Sequence, residues 1–541
     1  MEVNSKIKLC FNTKNTLIAG VTVMSLAYPA ITAFGKQPSR PNILFIMSDD
    51  HTSQAIGVYG GRLAGLNPTP IIDQLAKEGI IFRNTFCNNS ISTPSRASIL
   101  TGQYPQTNGV LDLDGHLSPE KQYLAIELKK LGYTTAVIGK WHLEAEPAAF
   151  DFYKILPSQG KYFDPDFHEK GKGKWPNNIV KSVGYSTDII TDITIDYMKK
   201  LDKTKPFFIM HHYKAPHDMF EYAPRDENYM ARTEIPEPAS LYFQPNWGSE
   251  ATRGRNDSLR TKIGTSVSNR NIYRNYVRDF LNDSVTSNET THLAYQIYLK
   301  KYLRCVKGVD DNLLRLFTYL KEAGLWNNTI IIYTSDQGLM LGEHDLQDKR
   351  WMYDESMRMP FIVHYPQMIK PASETNLLTN NTDFAPTIIE LAGGKTPSYM
   401  QGRSFINTLQ GKAEQHWRTS TYYRYWMHQI HHYVPAHFGI RTNDYKLIFY
   451  YGCFYRPKSD YKNFYWANQY IDIDKNTPPA WEFYVLKNDP EELHNRYNDP
   501  FYKGIIEQLK IELKKQRIEL RETDEKYPKI QKIIEENCCE Y

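Results

Sequence analysis

The chain has 541 residues, with 41% hydrophobic and 23% charged side chains, a globular composition with room for a large core. Its formal charge is +4, and residues 1–33 hold Lys6, Lys8 and Lys14 against Glu2, so the remainder carries only +2. No clustered excess of Lys and Arg occurs, which excludes a nucleic-acid footprint. The 39 Tyr and 9 Trp suit either a Tyr-rich core or a surface that handles sugars, whose apolar faces stack on rings.

The N-terminus has the layout of a secretory signal: basic residues, then an apolar stretch from Thr16 to Ala33 that ends in small residues. Thr, Ser, Gly and Pro29 weaken a transmembrane reading, and no second apolar span follows. Residues 1–33 are therefore expected to be removed on export to the periplasm or the medium, leaving no membrane span. Cys10 leaves with them. Cys87, Cys305, Cys453, Cys538 and Cys539 remain, an odd number without metal-site spacing, so no disulfide framework is indicated.

Beyond residue 40, short apolar runs each end in a polar cluster. Ile43–Met47 leads into Ser48-Asp49-Asp50, and Thr134–Ile138 into Gly139-Lys140-Trp141-His142. Phe207–Met210 leads into His211-His212 and Lys214–His217, and Ile330–Tyr333 into Ser335-Asp336-Gln337-Gly338; Phe361–Val363 follows. Such runs fit strands buried on both faces, and the helical patterns between them suggest an α/β fold with a large mixed, mostly parallel sheet flanked by helices. Ligands of such sheets sit at the strands' carboxyl ends, and four runs deliver Asp, Lys, His or Gln there.

Residues 40–400 read as the catalytic domain. Within it, residues 220–300 are Asn-, Arg- and Ser-rich and read as an irregular insertion, with helix resuming near Leu303–Gly324. Residues 401–541 read as a C-terminal α+β subdomain. It has a small antiparallel sheet (Phe438–Arg441, Tyr445–Phe449) and a terminal helix with Ile505, Ile506, Leu509 and Leu513 at helical spacing.

The segment Ser92-Thr93-Pro94-Ser95-Arg96-Ala97-Ser98-Ile99-Leu100-Thr101-Gly102 reads as a loop entering a helix. Ser92 at such a start is either an ordinary helix cap or a group held against the positive helix end. The stretch resembles the signature of the formylglycine-dependent (type I) sulfatases, in its serine-type form and as found in bacterial glycan sulfatases of the alkaline phosphatase superfamily. The resemblance runs from about Pro41 to Pro366 and continues more weakly beyond.

The resemblance implies an alkaline-phosphatase-like fold and oxidation of Ser92 to formylglycine by a radical-SAM-type maturase. One oxygen of the hydrated aldehyde would attack sulfur and expel the alcohol; the second would then eject sulfate, which splits one hard step into two. It assigns Asp49, Asp50, Asp336, Gln337 and the oxidised Ser92 to a calcium ion, for which hard oxygen donors are suited. Arg96 would hold the nucleophile and metal ligands, Lys140 would neutralise sulfate, and His142 would take the proton as sulfate leaves. His217 and Lys349 would meet the sulfate and its bridging oxygen, while His344 recurs in such enzymes without a defined role. His211 and His212 are left unassigned.

His116, Arg350 and His437 are the candidate sugar contacts, with His428, His431 and His432 as further possibilities. The expected function is hydrolysis of sulfate esters, with exo-acting removal of O-sulfate from glycans such as glycosaminoglycans. The alternatives are a phosphomonoester or phosphonate-ester hydrolase on the same fold, and a secreted glycan-binding protein whose serine is never converted.

Overall fold

A computed structural model describes residues 40–242, 244–253, 266–267, 287–430, 432–457, 460 and 475–538. The expected signal at 1–33, much of the expected insertion at 220–300, His431 and Cys539 lie outside the described residues.

Strand β1 (Asn42–Ser48) is buried along its whole length. Ile43, Phe45 and Met47 enter one apolar core while Leu44 and Ile46 enter the core on the opposite face, the period-2 outcome of a strand covered on both sides. Nine more strands join it: β2 (Ile80–Phe82), β3 (Thr134–Lys140), β4 (Phe152–Leu156), β5 (Asp166–Glu169), β6 (Ile179–Lys181), β7 (Phe207–His212), β8 (Thr329–Ser335), β9 (Phe361–His364) and β10 (Ser373–Thr375). Their order is β10-β2-β9-β8-β1-β7-β3-β4-β5-β6. The central strands β8, β1, β7, β3 and β4 are parallel, and β9 runs antiparallel between β8 and β2. In register, Ser48 lies beside Ser335, and His212 beside Met47 and Gly139, so the residues that follow these strands emerge along one edge.

Helices α1 (Pro70–Lys77), α4 (Ser186–Lys200) and α5 (Asn288–Glu322) cover one face; α2 (Ser92–Thr101), α3 (Tyr123–Lys130) and α6 (Phe384–Leu391) cover the other. Helix α5 begins well before the expected start near Leu303. Ser287 caps it: its Oγ accepts from the Thr290 N–H at 3.2 Å, and Thr290 Oγ1 accepts from the Ser287 N–H at 3.0 Å. The buried stripe of its first turns is Ala294, Tyr295, Tyr298, Leu299 and Tyr302, so tyrosines carry the periodicity that aliphatic residues carry elsewhere. Among the described residues no helix is long and apolar enough to cross a membrane.

Further along, β11 (Ser420–Tyr425), β12 (His437–Thr442), β13 (Tyr445–Tyr450) and β14 (Ala480–Val485) form an antiparallel sheet in sequence order. Tyr422, Phe438, Ile440 and Leu447 face α7 (Lys503–Glu519) and α8 (Pro528–Asn537), which bury Ile506, Leu509, Leu513, Ile530 and Ile534 against them. Tyr423, Tyr425, Ile448 and Tyr450 point the other way, into the core that holds α2. The alternation of Tyr422 and Tyr423 thus joins the small sheet to the main body. Buried Asp524 adds a polar tie: it accepts from Arg424 Nη2 at 2.6 Å and also from Arg517.

Candidate active site

Ser92 opens α2, behind an Ile91 whose backbone is extended, and only 1% of its surface is exposed. Arg96 stands four residues on, hence on the same helix face. Its Nε donates to Asp336 Oδ2 at 3.0 Å and its Nη1 to the Lys140 carbonyl at 3.0 Å, while Nη2 lies 3.7 Å from Asp49. The motif spacing therefore points the Ser92 hydroxyl and the Arg96 guanidinium at one spot. Gly102 ends the helix in the left-handed region, at φ 64°, and its N–H donates to the Ser98 carbonyl at 2.9 Å.

Around Ser92 Oγ the strand ends converge. Ser92 Oγ donates to Asp49 Oδ1 at 3.1 Å, and Gln337 Nε2 donates to Asp50 Oδ1 at 2.5 Å and to Ser92 Oγ at 3.3 Å. The Asp50 N–H donates to Asp336 Oδ1 at 3.2 Å. Lys140 pairs with Asp49, and Lys349 Nζ with Asp50 Oδ2 at 2.5 Å. Asp50, His142, Asp348 and Arg350 all have positive φ, a concentration of uncommon backbone that belongs to sites held in place by their surroundings.

Burial raises Asp336 to a pKa of about 6, reinforced by the charges of Asp49 and Asp50. Burial would raise Asp49 as well, but Lys140, His217, Arg96 and Lys349 hold it well below the ordinary carboxylate value. Three carboxylates crowded in this way are relieved by a bound cation. Asp49, Asp50 and His217 can bring one ligand atom each within 4.8 Å of one another, and the Gln337 Oε1 is buried with no hydrogen-bond donor among the described residues. The donor set fits a metal ion, with hard carboxylate and amide oxygens predominating. Asp336→Asn should weaken metal binding more than Gln337→Asn, because it removes a charge and the anchor of Arg96 as well. The loss should exceed the roughly 10–100-fold typical of residues that only support a ligand, read as metal content after dialysis against graded chelator.

Above Ser92 opens a cavity of about 390 Å³. Ser92, His142, His217, Lys349 and Arg350 line it, joined by Gln159, Lys214 and Asp218, which carry no expected role. Burial, then the charge of Lys140, pushes His142 well below its ordinary value, leaving a neutral ring able to accept a proton. His217 Nδ1 donates to the Asp218 carbonyl at 2.7 Å and lies 2.6 Å from its carboxylate, which leaves Nε2, 3.7 Å from Asp50, as the nitrogen for chemistry. Gln159 Oε1 accepts from Lys140 Nζ at 2.8 Å. Arg350 pairs with Asp348, His432 Nε2 lies 3.5 Å from the same carboxylate, and the Arg350 carbonyl accepts from Tyr423 OH at 2.8 Å.

Two expected sugar contacts lie elsewhere. His437 is fully buried, stacked at 5.6 Å on Tyr423 and packed on Tyr425 and Tyr450, because its strand position faces the aromatic core. His116 is exposed but does not line the cavity. His428 is buried, with Nδ1 accepting from the Ala436 N–H at 3.1 Å. His211 and His212 bond to Thr194 and to the Lys140 carbonyl, and His344 stacks on Trp247 at 4.7 Å. The signal for Asp218 was its place directly after His217; Lys214 and Gln159 follow strands and read as solvent-facing.

Residues 41–394 match the Sulfatase family, and residues 342–519 match the C-terminal family of N-sulphoglucosamine sulphohydrolase. The chain belongs to the sulfatase family and is an enzyme that hydrolyses sulfate esters. It is 38% identical over 533 residues to an N-acetylglucosamine-6-O-sulfatase of Bacteroides thetaiotaomicron, covering 92% of this chain and 89% of that one. An ulvan-active sulfatase of Formosa agariphila is 27% identical, over 87% of this chain and 78% of that one. A solved structure in complex with its substrate, D-glucosamine-2-N,6-O-disulfate, superposes with a TM-score of 0.77 at 35% identity, over 90% of this chain and 99% of that one.

Proposed function

We propose that the enzyme removes a 6-O-sulfate from a glucosamine-type sugar at the end of a glycan, with calcium as its metal and Ser92 oxidised to formylglycine. The observation that carries this reading is the cavity itself. Its floor is Ser92 with Lys349 and His217, and its wall holds the Asp348–Arg350–His432 group, whose donors and acceptors suit sugar hydroxyls. A cavity of about 390 Å³ is of the size that takes a small ligand such as a short terminal sugar unit. The names of the similar proteins above support the choice of sugar and carbon.

Calcium, held by Asp49, Asp50, Asp336, Gln337 and the Ser92 oxygen, would polarise the sulfate oxygens and screen the carboxylates. Arg96 keeps Asp336 aligned. Lys140 and Lys349 offset the charge that develops on the sulfate oxygens. His217, oriented by Asp218, gives a proton to the departing sugar oxygen, and neutral His142 accepts one as sulfate leaves. Oxidation of Ser92 calls for a radical-SAM-type maturase, and the basic-then-apolar N-terminus supports export to the periplasm or the medium. A two-zinc phosphatase on the same fold would need more imidazole than His217, the one histidine in the metal-capable group found among the described residues.

The test is hydrolysis of sulfated monosaccharides by the matured enzyme, beside an intact sulfated polymer. N-acetylglucosamine 6-sulfate should be cleaved in preference to sugars sulfated at other carbons, and terminal sulfates before internal ones. Equal rates on internal sulfates of the intact polymer would overturn the end-acting reading.

A further inference from the structure

Lys214 lies two residues past β7 and three before His217, and only 4% of its surface is exposed. Its ammonium sits 4.9 Å from the centre of the Tyr162 ring, and both side chains line the cavity beside Ser92, Gln159 and His217. The other cationic side chains of the lining each face a carboxylate. Lys349 meets Asp50, Arg350 meets Asp348, His217 meets Asp218, and the exposed Lys161 meets Asp166 at 3.1 Å. Lys214 makes no ion pair among the described residues. Asp218 is engaged by His217, and Glu221 lies at the exposed mouth.

A cation enclosed without a partner is costly, and burial together with the charge of Lys140 lowers its pKa to about 8. The ring face of Tyr162 offsets part of that cost. The scissile sulfate does not require this residue, because Lys140 and Lys349 already flank the Ser92 site through Asp49 and Asp50.

We propose that Lys214, backed by Tyr162, forms a subsite for a second sulfo group carried by the same sugar as the scissile sulfate. The proposal rests on the reading of the preceding subsection, and it makes the enzyme selective for doubly sulfated sugars. An anion there completes an ion pair inside an enclosed wall, where charge-assisted hydrogen bonds are strong.

The test compares kcat/KM for N-acetylglucosamine 6-sulfate with that for N-sulfoglucosamine 6-sulfate and for N-acetylglucosamine 3,6-disulfate. The unaltered enzyme should prefer a doubly sulfated sugar by roughly 10–100-fold, the worth of one hydrogen bond to a charged group. Lys214→Met and Lys214→Gln should each erase that preference, and Lys214→Arg should retain most of it. An equal loss on singly and doubly sulfated sugars would show that Lys214 serves the scissile sulfate or the fold, and would overturn the proposal alone. So would an unaltered enzyme with no preference. Failure of the unaltered enzyme to cleave any 6-sulfated glucosamine would instead bring down the substrate reading beneath it.

Discussion

Ser92→Ala lowers kcat/KM by roughly 10⁶-fold, the order seen when a covalent nucleophile is removed. The loss follows from the geometry: alanine has no oxygen to oxidise, and the point shared by Asp49 and Gln337 is left empty. The fold should survive. Ser92 Oγ takes part in two side-chain hydrogen bonds, to Asp49 and from Gln337, so its removal costs about 1–3 kcal/mol, a fraction of a domain's stability. Circular dichroism and thermal melting should therefore be close to those of the unaltered protein. In the active enzyme, mass spectrometry should find the peptide containing Ser92 lighter by two hydrogen atoms, as the alcohol becomes an aldehyde. Full activity from protein that carries only unmodified serine would refute the nucleophile assignment.

His217→Ala slows hydrolysis of a sulfated sugar by roughly 10²–10⁴-fold, the usual contribution of a positioned general acid. A sugar alcohol is a poor leaving group, so cleavage of its bond to sulfur builds negative charge on the departing oxygen. Nitrophenyl sulfate leaves as a stabilised anion that needs little protonation, and its hydrolysis should fall by no more than about 10-fold. Asp218 makes the assignment specific, because it accepts the hydrogen bond from Nδ1 and so leaves Nε2 for the substrate. His142→Ala should instead slow sulfate release from both substrates to a similar degree. If His217→Ala slows both substrates equally, His217 binds sulfate and the acid is to be sought at Lys349.

The central sheet was legible because β1, β3, β7 and β8 are continuous apolar runs, and burial on both faces leaves no other use for such runs. The residues expected as nucleophile and metal ligands were read through the resemblance of Ser92–Gly102 to a family signature, and the fold brings Ser92, Asp49, Asp50, Asp336 and Gln337 together. The start of α5 was not legible, since Tyr295, Tyr298 and Tyr302 form its stripe and tyrosine serves surfaces as readily as cores. Nor could the sequence rank the histidines between residues 428 and 437. His437 lies opposite Tyr425 and Tyr450 in its sheet, which commits it to the core, while a loop brings His432 to the cavity. Lys214 escaped notice for a related reason. A lysine after a strand ordinarily reaches water, and only the folded wall reveals that this one does not.

Every residue of α2 is buried, and much of what encloses it comes from distant sequence. Asn381 Nδ2 donates to Ser95 Oγ at 2.9 Å, Ser95 Oγ bonds the Asp336 carbonyl, and the Arg424 N–H donates to the Asn88 carbonyl at 2.9 Å. A ribosome needs tens of seconds to travel from Ser92 to those partners. Until they arrive, the serine and its motif are open to another protein; afterwards, the motif is enclosed and Ser92 is reached only through the cavity. The proposed maturation of Ser92 would thus be confined to an interval set by translation and folding. A chain that folds first is left with its serine unconverted.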